Sequence, residues 1–337
     1  MRPEDFSYPL PEELIAYYPA ERRDASRLMV LHREDGSVEH RRFPDIVEYL
    51  GAGDLLVLND SRVIPARVRG RKPTGGVVEL LVIKEVAQGL WQCMAKPAKG
   101  LKEGVRIDIE EEFYATVEER QQDGFFLLRF SLPLKDVLSR YGEIPLPPYI
   151  RRAPQPLDKE RYQTVFAKHN GSVAAPTAGL HFTEPVLERL RRKGVELHYI
   201  TLHTGPGTFL PVRTEEVEAH RLHPEPYRVE PHVYEAIKRA KEENRRVIAV
   251  GTTVTRTLET LFSEATPRLE GETSLFIYPG YRFRVVSAMV TNFHLPCSTL
   301  IMLVCAFAGK DKVMRAYNIA IKERYRFYSY GDCMLII

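Results

Sequence analysis

Several things are scarce in this sequence. It has four cysteines, one tryptophan and no long hydrophobic run. Cys93, Cys297, Cys305 and Cys333 form no CxxC and share no paired spacing. That excludes a disulfide framework or a zinc site read from cysteine pairs, and fits reduced thiols. The longest uninterrupted apolar stretch, Leu300 to Ala308, is nine residues, against the ~20 that span a bilayer. The opening Met-Arg-Pro-Glu-Asp-Phe puts acids where a signal peptide needs a basic and then an apolar stretch. A cytoplasmic protein with no membrane partner is expected. Charge of one sign is also short: 48 Lys+Arg stand against 45 Asp+Glu, a net +3. So small a surplus does not by itself mark a nucleic-acid binder.

What is present suits a globular protein. Hydrophobic residues are 44% and charged residues 28% of 337, enough for a full core and for about two domains. The small basic surplus is localised. Val63 to Arg152 holds 15 basic and 12 acidic residues, so the rest of the chain sums to zero, and Gly309 to Tyr330 holds six basic and two acidic. Two basic zones permit a polyanionic partner without requiring one.

Periodicity and turn residues predict the organisation. A helix is expected at Leu10 to Tyr18. A hairpin, Arg27–His32 with Val38–Phe43, turns at Asp35-Gly36. A helix at Pro44 to Leu50 leads into the buried strand Asp54 to Asn59. From Val63 to Ser131 about six short strands alternate with turn residues such as Thr74-Gly75-Gly76, the pattern of a small closed barrel. A helix at Leu134 to Arg140 and the proline-rich stretch Ile144 to Pro156 read as the return from an insertion. Strands and helices then alternate. Helices are expected at Glu184–Lys193, His232–Glu243, Ser298–Ala308 and Lys310–Tyr325, with another starting after Gly251. Strands are expected at Val195–Leu202, Arg246–Val250, Thr273–Tyr278 and Val285–Thr291. The predicted fold class is α/β: a discontinuous layered α/β domain, residues 1–62 and 153–337, with a mostly parallel sheet, interrupted by an antiparallel β-barrel at 63–152.

Several places could carry chemistry. Val250-Gly251-Thr252-Thr253 is a strand, a glycine turn and a helix start. It offers free N–H groups to a ligand, or is a plain turn with threonine caps. His203-Thr-Gly205-Pro206-Gly207 resembles half of a dinucleotide-binding turn, but Leu210 takes the third glycine's place and no helix pattern follows. His181 sits at a loop–helix junction, where it could transfer protons or simply pack. Asn59-Asp60-Ser61-Arg62 and Asn292-Phe-His294 each close a strand, lining a site or turning the chain. His220 and His223 share i,i+3 spacing, but without a third ligand in register no metal is expected. Tyr325-Arg326-Phe327-Tyr328 interleaves bases and aromatics, as a surface for unpaired RNA or as a packed strand would.

Taken together, the ordered stretches resemble the S-adenosylmethionine:tRNA ribosyltransferase-isomerase family of queuosine biosynthesis. The carrying blocks are Leu56 to Arg67, Ile144 to Ile150, Arg161 to Val165, Gly171 to Thr183, Ile277 to Phe283, Thr291 to Pro296 and Tyr328 to Asp332. The resemblance implies a large α/β domain with an inserted barrel. It implies transfer of the ribosyl part of S-adenosylmethionine to 7-aminomethyl-7-deazaguanine at the tRNA wobble position, giving epoxyqueuosine-tRNA, adenine and methionine. No metal or cofactor beyond that co-substrate is expected. With the resemblance, His181 is the leading acid–base candidate and Asp60 the second. Donor binding is expected from Thr177, Gly179, Gly205, Gly207, Gly251, Thr252, Thr253, Arg256 and Glu259. Contacts with tRNA are expected from Arg151, Arg152, Arg326 and Tyr328. An RNA methyltransferase would leave S-adenosylhomocysteine instead of adenine, and a pure RNA-binding module would show no turnover.

Overall fold

Five successive buried residues, Leu55–Asn59, make an interior strand of a nine-stranded sheet. The computed structural model describes residues 1–337 apart from 111, 206, 208–211, 213 and 265, and apart from the side chain of 123. Across the sheet the strands run Glu270–Thr273, Glu225–Arg228, Glu196–Leu202, Leu55–Asn59, Val247–Val250, Ala288–Asn292, Cys333–Ile336, Arg27–Leu31 and Val38–Arg42. The four from Glu196–Leu202 to Ala288–Asn292 are mutually parallel. Side chains alternate between two buried faces, as the pleat requires. Leu55, Val57, Ala249 and Met289 pack under helices Pro231–Glu242, Thr252–Leu261, Thr299–Ala308 and Lys310–Lys322. Leu56, Leu58, Ile248 and Val290 pack under Ile46–Tyr49 and Glu184–Arg192.

Strands Arg67–Arg71, Val77–Ala87, Leu90–Lys96, Arg106–Glu110, Phe113–Arg120 and Phe125–Phe130 close into an antiparallel barrel. Val78, Leu80 and Val82 fill its interior. The chain leaves the sheet through Ser61–Val63 and returns through His169–Ser172, and these two short strands pair in parallel. Gln163 clamps the exit: its Oε1 accepts from Val63 N at 2.9 Å and its Nε2 donates to Val63 O at 2.7 Å.

Four expectations change. Leu10 to Tyr18 is not an α-helix but a single 3-10 turn at Glu12–Leu14. Prolines 9, 11 and 19 bound it, and Ile15 bridges to Phe327 instead. The sheet is mixed, because Tyr325 to Asp332 turns the chain back and sets Cys333 opposite Asn292, antiparallel. Strand Thr273–Tyr278 shifts back to Glu270–Thr273, where Thr273 Oγ1 takes the Leu275 N–H. Strand Val285–Thr291 starts only at Ala288, because the amides of 284–286 bond to Glu259 rather than to a neighbouring strand. Among the described residues no helix is long and apolar enough to cross a membrane.

Candidate active site

Ligands in open sheets gather beyond the carboxyl ends of parallel strands. Here three such ends, Asn59, Val250 and Asn292, lie side by side. Asn59 fastens them. Its Oδ1 accepts from Ser61 N at 3.0 Å and Leu202 N at 3.1 Å, and its Nδ2 donates to Leu202 O at 3.0 Å and Thr253 Oγ1 at 3.4 Å. Gly251 then turns the chain into helix Thr252–Leu261 at φ +95°, a conformation that L side chains rarely adopt. The first-turn amides of that helix have no partner within it.

A pocket opens at this place, walled by Ala174–Ala178, Gly251, Thr252, Thr253, Asn292, His294, Tyr149 and Tyr328 among others. Its lining among the described residues contains no Asp, Glu, Lys or Arg. The polar atoms are hydroxyls, one amide and His294, whose burial lowers its pKa from 6.5 to about 3. His294 is therefore neutral, and its Nε2 shares a 2.7 Å hydrogen bond with Thr291 Oγ1. Two buried acceptors on the wall have no protein partner: Asn292 Oδ1 and Thr204 Oγ1.

Thr204 also lines a second, larger cleft between barrel and sheet. The barrel contributes Lys84, Trp91, Gln92, Gln121, Gln122 and Phe125; the sheet side contributes Gly171, His203, Gly205, Gly207 and His223. Gln92 Nε2 donates to Gln121 Oε1 at 2.9 Å. His203 Nδ1 is buried without a partner. Burial and the neighbouring His169 lower the His203 pKa, against the pull of Asp60.

The structure brings together Thr177, Gly251, Thr252 and Thr253 in the first cavity, with Gly205 and Gly207 on the second. Pro206 and Leu210 of that loop lie outside the described residues. The other expected site residues fall elsewhere. His181 is 3% exposed, behind the wall. Its Nδ1 meets Ser26 Oγ at 2.8 Å and its Nε2 meets Asn292 Nδ2 at 3.1 Å. Burial, with Arg23 and Arg326 nearby, drops its pKa to about 3. A ring with both nitrogens engaged and no titration near neutrality is placed to orient, not to shuttle protons. Asp60 faces a separate groove with His169 and His198, and its Oδ1 accepts from Thr201 Oγ1 at 2.7 Å.

Gly179 is a packing position, since a Cβ there would stand 2.8 Å from Thr164 Cγ2. Arg256 is buried against Glu225 at the edge of a smaller pocket. Glu259 is fully buried and accepts from Tyr281 Oη at 3.1 Å and from the amides of Arg284, Val285 and Val286 at 2.8–3.2 Å. It holds a loop rather than a ligand. The residues expected to touch tRNA have the following partners within the protein. Arg151 pairs with Glu12 at the surface. Arg152 is committed to Asp158 through two bonds of 2.7 and 2.8 Å. Arg326 binds the Tyr18 carbonyl. The aromatics around it, Tyr325, Phe327, Tyr328 and Tyr330, are 0–5% exposed, so this stretch is core and Tyr328 a cavity wall. Sequence reasoning left Tyr149, Trp91 and the glutamines unmarked as site residues; the strand-end position of Asn292 and His294 and the His203–Gly207 motif carried a signal.

This arrangement has known counterparts. Residues 3–336 match the family described as queuosine biosynthesis protein. A protein of Thermotoga petrophila named S-adenosylmethionine:tRNA ribosyltransferase-isomerase is 51% identical, with all of both chains covered. One of the same name from Anaeromyxobacter is 53% identical over all of this chain and 99% of its own. The crystal structure of S-adenosylmethionine tRNA ribosyltransferase from Thermotoga maritima superposes with a TM-score of 0.57 at 40% identity. It covers 99% of this chain and 100% of that one.

Proposed function

This chain belongs to the queuosine biosynthesis family of S-adenosylmethionine:tRNA ribosyltransferase-isomerases, and on that premise we propose how its two cavities divide the reaction. It is a transferase-isomerase enzyme. The α/β part, residues 1–62 and 153–337, holds S-adenosylmethionine in the cavity at Gly251. The barrel part, residues 63–152, closes the cleft that receives 7-aminomethyl-7-deazaguanine from the wobble position of tRNA. The observation that carries this reading is the meeting of both cavities at Thr204, since a group can pass only between adjoining sites.

The donor's chemistry suits a cavity without charged walls. Its sulfonium acidifies the C5′ hydrogens, and removal of one lets the ribose ring open and adenine depart with a proton. The neutral aminomethyl nitrogen then adds to the vinyl sulfonium left by ring opening and loses a proton, and the ylide carbon so regenerated bonds to the freed aldehyde carbon, leaving an alkoxide. Closure of the epoxide breaks the carbon–sulfur bond, and methionine leaves with that electron pair. Excluding water protects the opened sugar. In place of His181 and Asp60, we assign the base to His203, beside Thr204 with a free Nδ1. The products are epoxyqueuosine-tRNA, adenine and methionine. Incubation with labelled donor and tRNA bearing the aminomethyl base is expected to release adenine and methionine in equal amounts. Formation of S-adenosylhomocysteine would identify a methyltransferase instead, and binding without turnover an RNA-binding module.

A further inference from the structure

Asn292 ends its strand with a side-chain amide whose orientation is forced. Its nitrogen lies 3.1 Å from the Tyr328 carbonyl and 3.5 Å from that of Asp332. Carbonyl oxygens only accept, so the NH₂ end must face them. The same nitrogen lies 3.1 Å from His181 Nε2, which must therefore accept, leaving the imidazole proton on Nδ1. That proton points to Ser26 Oγ at 2.8 Å, and the Ser26 hydroxyl donates on to the Arg23 carbonyl at 3.4 Å. Burial of His181 favours the same neutral ring. Each link fixes the next, and the chain ends with Asn292 Oδ1 turned away from all of them. This oxygen is buried, in a residue 2% exposed on the cavity wall, with no partner among the described residues. Native proteins rarely leave a buried acceptor unpaired unless something else pairs it.

We propose that Asn292 Oδ1 accepts a hydrogen bond from the exocyclic amino group of the donor's purine, and that His181 is the positioning residue that locks it. The inference rests on the donor occupying this cavity. The purine is favoured over the amino-acid end of the donor because that end carries two charges and the wall offers none to pair them. Tyr149 and Tyr328, with ring centroids 4.6 Å apart, line the same cavity and provide apolar surface instead.

The test replaces the amino group by a carbonyl. The hypoxanthine analogue of the donor, S-inosylmethionine, presents an acceptor where adenine presents a donor. Its kcat/KM with wild-type enzyme and modified tRNA should be lower by about 100-fold, within the range of sites that read a polar group. Asn292→Ala and His181→Ala should shrink that discrimination to about threefold or less, at unchanged tRNA affinity, by removing the oriented acceptor. His181→Gln, which can still accept near the Nε2 position, should restore much of it. Equal use of the two donors by wild-type enzyme would overturn the inference while leaving the transferase reading intact, and needs no variant to fold. Full discrimination persisting in a folded His181→Ala would overturn the positioning role. Turnover of neither donor would overturn both the inference and the reading beneath it.

Discussion

Burial sets what each histidine can do. His181 and His294 are held neutral, with pKa values near 3, so neither changes charge across the working range. His203 is also pushed down from 6.5, but it lines the cleft, and among the described residues its buried Nδ1 has no partner. A base with a lowered pKa stays neutral, and so active, below pH 6.5, and is lost only when pH falls through that lowered value. The acidic limb of the kcat profile should accordingly lie below 6.5. His203→Asn should slow kcat by about 10²–10⁴-fold and abolish that limb. A limb at or above 6.5, or a variant with wild-type kcat, would remove His203 from proton transfer. Residue type alone could not separate these histidines, because a loop–helix junction looks equally suited to either role. What decided it was which ring nitrogens found partners, and those of His181 lie more than a hundred positions away. Glu259 misled for the same reason: its three amide partners lie on a loop that reads as a strand.

At the scale of elements, local signals served where the element's own residues determine it. The alternating barrel strands, the run Leu55–Asn59 and the Ser298-capped helix stand close to where periodicity puts them; Ser298 Oγ accepts from Ile301 N at 3.3 Å. Failure came where a distant partner takes the backbone bonds, as at Ile15 and at 284–286. The Tyr325–Tyr330 stretch failed differently, since alternating aromatics suit a surface for bases and a core equally well. The Gly251 turn is the element on which donor binding depends. Ala fits the space there, with the nearest atom at 3.6 Å, but not the φ of +95°. Gly251→Ala should therefore lower unfolding free energy by about 1–3 kcal/mol. By moving the helix start it should also cut kcat/KM for the donor by about 10²-fold. Thermal unfolding and initial rates check both, and a stable variant with wild-type donor kinetics would detach the turn from the site.

The whole molecule is two modules joined so that a cleft forms between them. Paired strands Ser61–Val63 and His169–Ser172 fix the barrel's stems, and Trp91, Phe125 and the glutamines face the sheet. Trp91→Ala should weaken tRNA binding by about 1–3 kcal/mol, the worth of one base stacked on a ring, with donor affinity unchanged. A loss of donor affinity instead would reverse the assignment of the two cavities. That assignment was not legible in the sequence, because the His203–Gly207 motif shows neither which cavities Thr204 borders nor that the barrel residues stand opposite the sheet. The most direct measurement is the structure of the protein with S-adenosylmethionine bound. The account predicts the purine against Asn292 and Tyr328, with C5′ directed toward Thr204. A donor seated against Trp91, with the Gly251 cavity unfilled, would contradict it.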